Sequence, residues 1–77
     1  MEYEALKAAI ERVLQVYIKE IQMDSRLSSD LGADSIDLTQ IFKCVEETLN
    51  IKIKDVDLDG IITVEDALKV IQQSMDN

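Results

Sequence analysis

Apolar side chains recur three or four residues apart in three separate stretches, and that spacing commits most of the chain to amphipathic helices. In the first stretch Leu6, Ile10, Val13, Leu14, Tyr17 and Ile21 fall on one stripe, with Glu2, Glu4, Lys7, Glu11, Arg12 and Lys19 filling much of the other face. One long helix, from Tyr3 through Ile21, is expected. The second stripe is Leu38, Ile41, Phe42, Val45 and Leu49, opposite Asp37, Gln40, Lys43, Glu46 and Glu47. The third is Val64, Ala67, Leu68, Ile71 and Met75, opened by Thr63 in a T-x-x-D capping pattern. With no proline, two glycines and three aromatics, the chain has few of the residues that β-rich domains use for turns and sheet faces.

Between the stripes lie connectors of different kinds. Met23 to Asp34 loses the helical period and gathers Asp24, Ser25, Ser28, Ser29, Asp30 and Gly32, so it reads as a long loop pinned to the core by Leu27 and Leu31. Loops of that length inside compact domains are usually functional or mobile. Asn50 to Lys54 alternates apolar and polar residues but has no strand to pair with, and is expected to be an extended connector. Val56, Leu58 and Ile61 follow in a short turn. The expected fold is all-α, a small four-helix bundle of three main helices and one short one, in a single domain over residues 1–77. A chain of 77 residues holds one modest core at most.

Charge narrows the function classes. Sixteen carboxylates against eight basic residues give a net charge of −8, which opposes nucleic-acid backbones and anionic lipid surfaces and suits basic protein partners. The opening residues MEYEALK carry two acids and no apolar run, so they read as neither a secretory signal nor a transit peptide, and no segment is apolar for long enough to span a bilayer. Cys44, the single cysteine, has no partner for an internal disulfide and reads as a small buried hydrophobe. A cytoplasmic monomer is expected. With no histidine there is no Ser-His or Cys-His nucleophilic pair, and neither a glycine-rich phosphate loop nor zinc-ligand spacing occurs. The chain is not expected to be an enzyme.

The strongest local signal is Asp30-Leu31-Gly32-Ala33-Asp34-Ser35-Ile36-Asp37-Leu38, where a polar loop delivers a serine to the first turn of the second helix. The hydroxyl there is addressable, and a phosphate ester on it would meet the favourable end of the helix dipole and unpaired backbone N–H groups. Taken alone, the residues favour a simpler role, with Asp34 or Ser35 capping the helix. The run Leu31-Gly32-Ala33-Asp34-Ser35-Ile36-Asp37, however, resembles the D-S-[LI] attachment motif of acyl carrier proteins. The similarity covers nearly the whole chain, including the first amphipathic helix, the long loop, the acidic second helix and the closing Ile62-Thr63-Val64-Glu65-Asp66-Ala67.

The resemblance implies that Ser35 receives 4′-phosphopantetheine from coenzyme A through a phosphopantetheinyl transferase, and that the arm's thiol carries acyl chains as thioesters to acyl-transferring and chain-elongating enzymes. Fatty acid synthesis, or a related specialised or polyketide pathway, is the implied setting. Asp34, Ile36 and Asp37 would flank the arm, and Glu46 and Glu47 would continue a negative strip toward basic docking patches on partners. Leu38, Ile41, Phe42, Cys44 and Val45 would border the space where an acyl chain retreats, while the stripe they form also suits plain core packing. Gln40 and Lys43 depart from the acidic and apolar residues common at those places in the family.

Two other readings compete. Asp55-Val56-Asp57-Leu58-Asp59-Gly60-Ile61-Ile62-Thr63 copies the first nine positions of an EF-hand calcium loop, with acids at Asp55, Asp57 and Asp59 and glycine at the sixth place. Against it, Asp66 replaces the bidentate glutamate at the twelfth place, Lys54 precedes the loop where an apolar residue is usual, and no second loop is present. No metal site is therefore expected beyond weak divalent binding by the acids. An unmodified helical adaptor would use the same acidic face and leave Ser35 bare.

Overall fold

The computed structural model describes residues 1–54 and 56–75. Three α-helices, α1 (Glu2–Leu14), α2 (Ser35–Leu49) and α3 (Val64–Met75), are joined by connectors that hold two single 3-10 turns, Ile18–Glu20 and Leu58–Gly60. The only strand-like feature among the described residues is one antiparallel bridge between Arg26 and Thr63. The short helix expected before the last one is the three-residue turn Leu58–Gly60, capped by the Asp57 side chain.

α1 is shorter than its apolar stripe suggests. Ala5, Leu6, Ala9 and Ile10 are buried, but the helix stops at Gln15, which turns left-handed at φ 57° while its N–H still reaches the Glu11 carbonyl at 2.8 Å. Val16, Tyr17 and Ile18 follow, β-branched or aromatic residues that lose rotamer freedom in a helix and extend it poorly. Tyr17 is consequently 69% exposed and takes no part in the core. Ile21 does enter the core at 5% exposure, but from the connector, after the 3-10 turn has redirected the chain.

α2 ends at Asn50, also left-handed at φ 55°, a conformation that asparagine tolerates better than most residues. Asn50 and Ile51 both donate their N–H groups to the Glu46 carbonyl, which turns the chain sharply out of the helix into the connector that begins at Ile51.

The core draws on all three helices and on the long loop. Leu6, Ile10, Leu27, Ile41, Val45, Val64 and Ile71 are each less than 2% exposed, and α1 packs against both α2 and α3. The loop between α1 and α2 is tied to the start of α3 by backbone bonds. Leu27 N–H donates to the Ile62 carbonyl at 2.9 Å, Val64 N–H to Ser25 at 3.0 Å and Glu65 N–H to Met23 at 3.0 Å. Within the loop Ala33 N–H returns to the Leu27 carbonyl at 2.7 Å. Gly32 sits at φ 77°, where a side chain would be strained.

Leu27 is thus both a core residue and a junction, and its backbone leads directly to the residues ahead of α2. Leu27→Ala should cost roughly 2–5 kcal/mol, a large share of the stability of so small a domain. Urea denaturation checks the loss, and amide exchange at Ala33 and Val64 should quicken more than exchange in the middle of α1. An unchanged midpoint would show that the loop is not anchored through this side chain.

Candidate functional site

The sequence leaves two residues competing to cap α2, and the structure assigns the cap to Asp34. Its backbone is extended, at φ −101° and ψ −174°, and its carboxylate accepts the Asp37 N–H at 2.8 Å. Asp37 replies by accepting the Asp34 N–H at 3.2 Å. This is a reciprocal capping box with aspartate in the place glutamate more often fills. Ser35 is therefore the first residue of the helix proper, and the reading in which its hydroxyl is the cap does not hold. The hydroxyl is exposed and has no hydrogen-bond partner among the described residues. Its carbonyl accepts a bond from the Thr39 hydroxyl at 3.0 Å, which stiffens the turn beneath it.

A groove of about 400 Å³ opens beside this serine. One wall is Arg26, Ser28 and Ser29 of the loop, the other is Leu58, Ile61 and Ile62, and Ser35 and Leu38 sit at the helix end. Its size lies within the range of small-molecule clefts, roughly 300–1,000 Å³. Ile62 adds exposed apolar surface to the groove wall, at 59% exposure, and Ile36, the residue after Ser35, is 67% exposed. A free hydroxyl at a helix N-terminus, with a groove alongside, fits a covalently attached phosphodiester and its chain.

Residues 4–71 match the family described as phosphopantetheine attachment site. An acyl carrier protein from Clostridium perfringens is 38% identical over 71 residues, covering 92% of this chain and 93% of that protein. The chain belongs to the acyl carrier protein family. It is thereby a carrier on a phosphopantetheine arm, in a family of carriers and not of catalysts, with acyl cargo and partner enzymes in the general sense. No helix among the described residues is long and apolar enough to cross a membrane.

On this carrier the residues expected to meet partners are placed unequally. Ile36 and Glu47 are exposed and uncommitted. Asp34 and Asp37 are engaged in the cap. Glu46 is half-buried, and its carboxylate accepts the Ile53 N–H at 2.8 Å, clamping the extended connector back onto α2. The carboxylates of this face are therefore partly committed to holding the fold, and Gln40 and Lys43 stand exposed in its middle. Of the residues expected to border acyl space, Leu38 lines the groove, Ile41, Phe42 and Val45 are core, and Cys44 is half-buried. Sequence reasoning missed Arg26, an isolated cation in a loop with no motif around it.

The calcium-loop reading gains no support. Asp55 lies outside the described residues. Asp57 accepts the Asp59 N–H at 3.1 Å and caps its own turn. Asp66 accepts the N–H groups of Ile62 and Thr63, both at 3.0 Å, while Thr63 takes the Asp66 N–H at 3.2 Å. That is the capping box expected of T-x-x-D, and it turns the twelfth-place carboxylate inward, onto the start of α3. No cluster able to hold a metal ion occurs among the described residues.

The backbone bonds from Thr63 and Ile62 hold the Asp66 carboxyl below its ordinary value of 3.8, against an opposing effect of burial and with smaller help from the Thr63 side chain and Lys69. A lowered carboxyl stabilises the fold above its unfolded value and stops doing so as pH falls through the folded one. Asp66→Asn keeps an oxygen acceptor but loses the charge, so it should cost about 0.3–1 kcal/mol near neutral pH, with the gap to the native chain closing below 3.8. Urea unfolding of both chains at neutral and acid pH measures it. A gap that stays constant across that range would contradict the charged cap.

Proposed function

We propose that Ser35 is the residue that bears the phosphopantetheine arm, and that the chain, acting as a cytoplasmic monomer with one domain over residues 1–77, presents acyl intermediates to enzymes of fatty acid synthesis or a related specialised or polyketide pathway. The observation that carries the assignment is the division of labour at the helix start. Asp34 and Asp37 accept each other's N–H groups, so the Ser35 hydroxyl is spared for chemistry. It stands at the positive end of α2, where an ester phosphate is electrostatically favoured.

Loading exchanges one bond for another. Ser35 Oγ joins phosphorus as the phosphoanhydride bond of coenzyme A breaks and adenosine bisphosphate departs. The hydroxyl proton passes to a base of the separate transferase, because the two carboxylates nearest Ser35, Asp34 and Asp37, are engaged in the cap. The arm's terminal thiol then supplies the thioester chemistry. Ser35 and the groove fix where that thioester begins, which gives successive partners a cargo at high local concentration. Ile36 offers an apolar contact and Glu47 a charge at the far end of the same helix, suited to brief, salt-sensitive visits by basic patches. The chain itself performs no catalysis.

Intact-mass spectrometry after incubation with coenzyme A and a broad-specificity phosphopantetheinyl transferase tests the assignment. One phosphopantetheinyl group should be added to the native chain, fragment mapping should place it on Ser35, and Ser35→Ala should gain none. A folded native chain that takes no group, or a group found on another serine, would overturn the proposal and restore the unmodified adaptor.

A further inference from the structure

Among the described residues, one basic side chain lines the groove beside Ser35. Arg26 lines it on the loop side, and the carboxylate-bearing residues Asp34 and Asp59 face the same space. The Arg26 backbone is fixed from two directions. Its N–H donates to the Asp30 carboxylate at 2.9 Å, its carbonyl accepts from Asp30 and Leu31, and it pairs with Thr63 across the bridge. The guanidinium, by contrast, forms no ion pair among the described residues, where the two pairs present involve Glu2 and Lys69. An arginine whose backbone is anchored and whose guanidinium has no ion-pair partner among the described residues invites an anion.

The anion is supplied at Ser35. A phosphodiester on Oγ carries a permanent negative charge within one turn of Asp34 and Asp37, and like charges at that range oppose it. The helix dipole offsets part of this. The planar fork of a guanidinium, with several N–H donors, matches phosphate oxygens better than any other side chain on the groove.

We propose that Arg26 is a positioning residue that holds the phosphodiester of the Ser35-linked arm and so directs the arm along the groove between residues 26–29 and 58–62. The proposal rests on Ser35 being the attachment residue. Because Arg26 is exposed, the bias is modest and weakened by salt; exposed charge pairs correspond to a preference of roughly two- to five-fold.

The test compares the loaded native chain with loaded Arg26→Gln, Arg26→Glu and Arg26→Lys. Lys43→Gln serves as a control, since it removes an equal charge from a residue outside the groove. Mass spectrometry first establishes addition at Ser35 in each. NMR then reads the Arg26 side-chain N–H signal, the amides of Ser28, Ser29 and Ile62, and cross-relaxation between arm protons and the Leu58 and Ile62 side chains. Loading should shift the Arg26 signal and the groove amides of the native chain. The groove contacts should weaken roughly two- to five-fold in Arg26→Gln, further in Arg26→Glu and less in Arg26→Lys, and should be unchanged in Lys43→Gln. Equal groove contacts in the native chain and Arg26→Glu would overturn the role of Arg26, as would equal losses in Arg26→Gln and Lys43→Gln. Absence of any addition at Ser35 would be seen before a spectrum is recorded, and would overturn the attachment reading itself.

Discussion

Two backbone N–H groups at the start of α2 are satisfied by two aspartates that serve each other, and the character of the site follows from that exchange. A helix N-terminus leaves several donors unpaired and usually recruits the nearest serine, threonine, aspartate or asparagine to satisfy one. In the run Asp34-Ser35-Ile36-Asp37 either of the first two residues has the chemistry. Because Asp34 accepts from Asp37 and Asp37 accepts from Asp34, the serine falls one residue inside the helix with its hydroxyl free. Had Ser35 been the cap, that hydroxyl would be occupied by the backbone and poorly placed for a transferase. The fold's own capping need is met by Asp34 and Asp37, which leaves the Ser35 hydroxyl available.

The second constraint is the stitching of the long loop to the start of α3. Carbonyls at Met23 and Ser25 accept from Glu65 and Val64, and Leu27 donates to Ile62, so the segments ahead of α2 and of α3 are held side by side. The Thr63–Asp66 box repeats at α3 what Asp34–Asp37 does at α2. The groove beside Ser35 is the space between these two anchored segments, walled by the loop on one side and by residues 58–62 on the other. A long connector that would otherwise cost conformational entropy becomes the frame of the site.

Much of this was legible in the sequence. The stripes of α2 and α3, the loop with Leu27 as its pin, the T-x-x-D cap and the serine at a helix start all follow from spacing and side-chain chemistry. The length of α1 was not, because Tyr17 and Ile21 kept the apolar period after Gln15 had left the helix. Periodicity records which residues suit a buried stripe and says nothing of where the backbone turns. The commitment of Glu46 to the Ile53 N–H was equally hidden, since a glutamate on an outer face and a glutamate clamping a connector look the same in one dimension. Arg26 escaped notice for a related reason. Its place on the groove wall depends on the loop folding back, with Ala33 N–H returning to the Leu27 carbonyl, and on the bridge to Thr63, a contact across 37 residues of chain.

With Asp34 as the cap, the helix has no need of the Ser35 hydroxyl. The most direct measurement is the unfolding free energy of unloaded Ser35→Ala beside that of the unloaded native chain, from urea denaturation under identical conditions. With the cap borne by Asp34, removal of the hydroxyl should change stability by no more than about 0.5 kcal/mol. A loss of about 1 kcal/mol or more, the usual cost of deleting a helix cap, would show that Ser35 holds the helix after all and would contradict the account.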